Sequence, residues 1–200
     1  MEVSILRSLH ATKVQSTTLE NIIRITQTSF MLKSLTERAR KYYKAGAKGK
    51  GDRIKKLLLP AFAPAGYLLD GKGRNNLVGL TGLCFIDIDH GVGVSVRRCK
   101  GILVLDDHVL FASKSISGKG LHIIVPYTLL RDDSFTSLPH DPKTLNKIYG
   151  KVFDAIAAYY HQLLDVPIDE AVRNAERLCL VSYDPEAICH PNAQPFEIQY

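Results

Sequence analysis

The run Leu83-Cys84-Phe85-Ile86-Asp87-Ile88-Asp89 is the feature that most limits how this chain can fold. Four apolar residues give way to an alternation of isoleucine and aspartate, and on a β-strand residues two apart share a face. Asp87 and Asp89 therefore point to one side of a sheet, and Ile86 and Ile88 to the other, into a core. A second apolar, β-branched run, GLHIIVPY from Gly120 to Tyr127, predicts a buried strand with His122 near its start.

Other segments fill in the architecture. Val3 to Leu6 predicts a first strand. Thr17 or Thr18 is placed to cap a helix carrying Leu19, Ile22, Ile23 and Ile25. A second helix is expected from about Leu32 to Lys44. AGAKGKGD follows as a mobile loop, and Arg53 to Leu59 as a short helix ended by Pro60. ILVLDD and HVLFASKS flank a turn. Asp141-Pro142 marks the start of an amphipathic helix with Leu145, Ile148, Val152, Ile156, Tyr159 and Leu163 on one face. Arg177 to Ser182 and Phe196 to Gln199 predict two more strands. The expected fold is α+β, a mostly antiparallel sheet with helices packed on one face, in a single domain spanning 1–200. Within it, 1–59 forms an N-terminal strand, helical and basic segment, and 60–200 the motif-bearing core.

With 200 residues, 46% of them hydrophobic, the chain can bury a core without disulfides. Cys84, Cys99, Cys179 and Cys189 form no CxxC pair, and Cys189-His190 alone does not make a zinc site. No apolar run is long enough to span a bilayer, and MEVSILRSLHATK is not built like a signal peptide, so the expectation is a cytoplasmic protein with no membrane partner.

The net charge of +6 is concentrated in one segment. Nine basic residues lie between Arg38 and Lys56 (Arg38, Arg40, Lys41, Lys44, Lys48, Lys50, Arg53, Lys55 and Lys56), opposed only by Asp52. A local basic stripe suits a phosphate backbone, although a solvated helix face and loop would look the same.

Three further groups carry chemistry. Asp87 and Asp89 repel one another unless a cation sits between them, and a hard divalent ion such as Mg²⁺ or Mn²⁺ resolves that cost. Taken alone, two acids at a strand end can equally be solvated. The segment SKSISGKGLH offers Ser115, Ser117, Lys114 and Lys119 to phosphates, with Gly118 and Gly120 expected to expose amide donors and His122 to donate to a phosphate oxygen. It is not a Walker A loop, because the spacing differs and a strand follows. Finally, Asp169 precedes Arg173 and Arg177. A third carboxylate with phosphate-binding arginines would complete a two-metal site, with Asp184 as the rival acid. A helix cap at Asp169 and a turn at Asp184 are the alternatives.

In order, KKLLLPAFAPAGY, GLTGLCFIDIDH, SKSISGKGLHIIVP and RLCLVSYDP resemble the N-terminal domain found with virulence-associated E (VirE)-type primase-helicases of bacterial mobile elements, within the archaeo-eukaryotic primase (primase-polymerase) superfamily. The resemblance spans about Lys55 to Pro185. It implies an RRM-like catalytic sheet with an added α/β unit and metal-dependent nucleotidyl transfer in DNA replication. It further implies catalytic metal on Asp87, Asp89 and Asp169, and an incoming triphosphate contacted by His122 with Ser117 and Lys119 beside it. The implied partners are nucleoside triphosphates, single-stranded or primed nucleic acid, and a downstream helicase domain in a longer protein. A non-catalytic nucleotide- or nucleic-acid-binding module and a metal-dependent nuclease are the competing expectations.

Overall fold

The computed structural model describes residues 1–89, 95–130 and 141–199; His90, the last residue of FIDIDH, lies outside them. The chain is an α+β protein with antiparallel sheets and helices. Strand β1 (Glu2–Leu6) turns into β2 (Gln15–Thr18). Thr18 then caps α1 (Leu19–Thr28) by accepting from the Asn21 amide, and Ser29 caps α2 (Phe30–Lys44) in the same way through Leu32. Helix α3 (Lys48–Leu57) follows after only three residues. The glycine-rich segment expected to be a loop is thus mostly helical. Tertiary contacts override its poor helix propensity: Ile54 is buried, the Tyr43 hydroxyl donates to Asp52 Oδ1 at 2.9 Å, and the Tyr43 ring lies where a side chain on Gly51 would be.

Next come β3 (Ala61–Ala63), then β4 (Gly66–Leu68) and β5 (Leu77–Leu80), which pair as a ribbon. Strand β6 (Leu83–Ile88) leads through α4 (Val96–Leu103) to β7 (Phe111–Lys114) and β8 (Leu121–Leu130). Ile102 and Leu103, at the start of the segment expected to flank a turn, are the end of α4. Ser95 caps that helix, and Cys99 and Leu103, one turn apart, are both buried. Helix α5 (Pro142–Leu164) starts on Asp141, whose carboxylate accepts from the Thr144 amide, with Pro142 in the first turn. Its buried stripe includes Leu145, Ile148, Val152 and Ile156, as the spacing predicts. Strands β9 (Cys179–Leu180), β10 (Ile188–Cys189) and β11 (Phe196–Gln199) complete the chain.

Two sheets result. The first has the order β2-β1-β3-β9 and is antiparallel throughout. In the second, β8 lies between β6 and β7, antiparallel to both, while β10 extends β7 and β11 joins the far end of β8 in parallel. Helix α5 packs on β6, where the Tyr149 hydroxyl accepts from the Phe85 amide at 3.1 Å and the Asp87 carbonyl accepts from the Asp169 amide at 2.9 Å. These two bonds satisfy groups on the open edge of β6 that would otherwise invite another strand. Among the described residues no helix is long and apolar enough to cross a membrane.

Candidate functional site

Registry places the site. Asp87 on β6 pairs with His122 on β8, and directly paired residues point to the same face. Ile86 and Ile88 are fully buried on the opposite face, as the alternation predicts. His122 Nε2 lies 3.8 Å from Asp87 Oδ1, and the Phe85 ring meets the imidazole edge-on at a centroid distance of 5.7 Å. Asp87 Oδ1 and His122 Nδ1 are both buried without a hydrogen-bond partner. Buried polar atoms rarely go unpaired, so this pair is suited to a further group.

The electrostatics agree with that. Burial pushes the Asp87 carboxyl up to about 7, helped by the negative charges of Asp89 and Asp169, while Lys55 acts against the rise. Burial, followed by the charge of Lys55, drives His122 down to about 4. At neutral pH the imidazole is therefore uncharged, able to donate from one nitrogen and accept at the other.

The pair opens on a cleft of about 1060 Å³. One wall holds Asp87, Asp89 and His122; Ser115, Ser117 and Lys119 come from the β7–β8 loop, and Asp169 and Arg177 from the segment after α5. The cleft thus gathers the three groups singled out in the sequence. Lys48, Asp52 and Lys55 of α3 line it as well, with Tyr43 of α2 and Lys72. The sequence placed Lys48 and Lys55 in the basic stripe and gave no sign that they belong to the acid site. Only the helical phase of α3, hidden by its glycines, could have shown it.

Several residues serve roles other than those expected. Gly118 and Gly120 do not offer their amides to a ligand. The Gly118 amide donates to the Ser115 carbonyl, Gly120 to Ser115 Oγ, and Lys119 to Ser117 Oγ. Gly118 has φ of +74°, and a Cβ on Gly120 would stand 2.2 Å from the Ile88 carbonyl oxygen, so the glycines shape the loop and let β8 start close to β6. Arg40 leaves the basic stripe: its guanidinium donates to the Ser115 and Ile116 carbonyls at 3.1 and 3.3 Å, bracing the loop from α2. Arg173 turns to α5 and makes a forked pair with Asp154 at 2.6 and 2.7 Å, outside the cleft lining. Lys114 pairs with Glu186 and Asp184.

Asp184 is no rival to Asp169. It is 1% exposed, pairs with Lys100 at 2.9 Å and accepts from the Lys114 amide at 2.8 Å; hydrogen bonds and lysine charges hold its carboxyl below the usual range despite burial. Asp169 stays at the cleft, although its side chain accepts from the Ala171 amide as the cap of a short 3₁₀ turn, Glu170–Val172. Among the described residues, no three His, Cys, Asp or Glu side chains are gathered into a ready-made metal cage. Arg38, Lys41, Lys44, Lys50, Arg53 and Lys56 are exposed on α2 and α3, outside the cleft lining.

A family model for the BT4734-like N-terminal domain matches residues 53–188, more than half of the chain, and the chain belongs to that family. Comparison with curated proteins and with solved structures finds no match.

Proposed function

We propose that this domain is a primase-polymerase-like nucleotidyltransferase, acting with Mg²⁺ or Mn²⁺ on nucleoside triphosphates and a nucleic-acid strand. The observation that carries the reading is the cross-strand pair Asp87–His122, opening with Asp89, Asp169 and the Ser115–Lys119 loop on one cleft. The order β6-α4-β7-β8-α5, with β8 between β6 and β7, matches the first five elements of an RRM-like βαββαβ core and supports this reading, while the described strands after α5 pair elsewhere than on β6. The first sheet with α1 to α3 is then the added unit.

The residues suit a divalent cation. Asp87 has an unpartnered buried oxygen and a carboxyl that is hard to ionise alone, and Asp89 lies on the same face. Mg²⁺ keeps several waters and needs only one or two protein carboxylates, so Asp87 and Asp89 suffice, with Asp169 within electrostatic reach of Asp87. A bound cation would supply charge neutralisation at the phosphates and activation of a hydroxyl nucleophile. The chain's own groups do the rest. Neutral His122 donates a hydrogen bond to a phosphate oxygen without adding a competing cation at the metal. Ser117 and Lys119 hold the phosphates on a loop already braced by Arg40. Arg177 stands at the cleft for the same charge, and the exposed residues Arg38, Lys41, Lys44, Lys50, Arg53 and Lys56 hold the nucleic-acid backbone.

The test is template-dependent and template-independent nucleotide incorporation with Mn²⁺ and Mg²⁺. Wild-type protein is expected to incorporate, and the double variant Asp87→Asn, Asp89→Asn to lose at least about 10³-fold of the rate. Undiminished incorporation in a folded double variant overturns the assignment. One observation favours a second reading, a non-catalytic binding module: Asp169 spends a carboxylate oxygen capping its own turn. Nucleotide binding with no incorporation under any metal would support it, and strand degradation without added nucleotide would indicate a nuclease.

A further inference from the structure

Helix α3 divides its charges between two directions. Lys48, Asp52 and Lys55 follow the i, i+4, i+7 spacing of one helix face, and all three line the cleft. Lys50, Arg53 and Lys56 lie off that face, exposed to solvent. Among the described residues neither Lys48 nor Lys55 forms an ion pair, whereas Lys100 and Lys114 are spent on Asp184 and Glu186. Lys55 is half-buried, and its charge is felt at both Asp87 and His122. A half-buried lysine that lines the cleft, makes no ion pair and whose charge reaches the carboxylate–imidazole pair is better placed for an anion bound inside than for a backbone passing outside. Lys119 of the β7–β8 loop lines the same cleft, so an occupant meets lysines from two elements.

We infer that the Lys48–Asp52–Lys55 face of α3 is a phosphate-binding wall of the cleft, holding the polyphosphate of a nucleoside triphosphate rather than a nucleic-acid backbone. This rests on the nucleotide-binding part of the proposed function. Lys55 contacts the phosphates nearest Asp87 and His122, and Lys48, two turns back on the same face and exposed to solvent, those further out. Asp52 is fixed by the Tyr43 hydroxyl at 2.9 Å and sets the position of the wall against α2.

The experiment is calorimetric titration of the full chain with dATP, ATP and inorganic triphosphate, each with Mg²⁺. In parallel, a labelled single-stranded DNA is titrated without nucleotide. The double variant Lys48→Gln, Lys55→Gln is expected to weaken all three triphosphates by about tenfold or more. Its affinity for the DNA should change much less. Lys147→Gln, an exposed lysine on α5, is expected to match wild type, and Lys48→Arg, Lys55→Arg to restore most of the binding, which excludes misfolding as the cause. Unchanged triphosphate affinity together with weakened DNA binding overturns the inference and returns both lysines to the stripe. Loss of nucleotide but not inorganic triphosphate binding also overturns it. Failure of the wild-type protein to bind any triphosphate removes the nucleotide reading itself, and the inference with it.

Discussion

Asp87 and His122 exchange a proton between the two states of the chain. In the folded protein the carboxyl titrates near 7 and the imidazole near 4. In the unfolded chain the order is the ordinary one, with the carboxyl below the imidazole. Between about pH 4 and 6.5 the folded pair therefore keeps its proton on Asp87, and the unfolded pair on His122. The sign follows from linkage. Asp87 alone binds more protons when folded, so its contribution to stability falls as pH rises from about 4 through 7. His122 alone binds fewer when folded, so its contribution rises with pH over about 4 to 6.5. The two slopes oppose, and the pair adds little net pH dependence there. Single variants unmask each slope. Urea unfolding of Asp87→Asn should show stability rising with pH between about 4 and 6.5, and His122→Asn should show it falling up to about pH 7. Parallel profiles in both variants would refute the arrangement.

Between elements, the site depends on how closely β8 meets β6. Gly120 sits against the Ile88 carbonyl, and a methyl group there would overlap it. Gly120→Ala should push the strands apart at the Asp87–His122 rung and cost about 2 kcal/mol or more, read as a lower thermal midpoint and a disturbed His122 resonance. Gly118→Ala, whose methyl would meet the Arg40 side chain and not backbone, should disturb that resonance less even where left-handed strain lowers its midpoint. This level also shows how far sequence reasoning reached. Strand period two correctly put Asp87 and Asp89 opposite Ile86 and Ile88, because one buried face leaves no choice of register. The α5 cap and stripe were equally plain. What was hidden depended on pairings distant in sequence. Arg40 looked like one more stripe cation until the Ser115 and Ile116 carbonyls appeared beside it. Arg173 was claimed by Asp154, and the α3 face could not be phased through two glycines and a missing cap.

On the scale of the whole molecule, Asp184 ties the parts together. Its carboxylate pairs with Lys100 of α4 and accepts from the β7 backbone at Lys114, while its own amide donates to the Thr26 carbonyl of α1. Lys100 is itself only 12% exposed at its side chain, so the pair is largely desolvated. Asp184→Ala leaves the largely buried Lys100 without a carboxylate partner and the Lys114 amide without its acceptor, and should cost about 3 kcal/mol in urea unfolding, with α1 losing amide protection together with α4. Asp184→Asn keeps the shape and some hydrogen bonds and should cost less. A surface-like loss below about 0.5 kcal/mol in both variants would contradict this role.

The reach of α2 into the β7–β8 loop has a bearing on what counts as the working unit. The span shared with the family begins at Arg53, partway along α3. It contains Asp87, His122 and Asp169, yet Arg40, which braces residues 115 and 116, lies before it, as do strand β1, to which β3 pairs, and the Thr26 carbonyl that receives Asp184. The recognisable motifs thus occupy a segment whose cleft is braced in part by residues outside it. The family match runs from Arg53 to Ile188, whereas the mechanical support of the cleft in this chain begins at the first strand, so a variant trimmed to the matched span would lose the β1 partner of β3 and the Arg40 brace together.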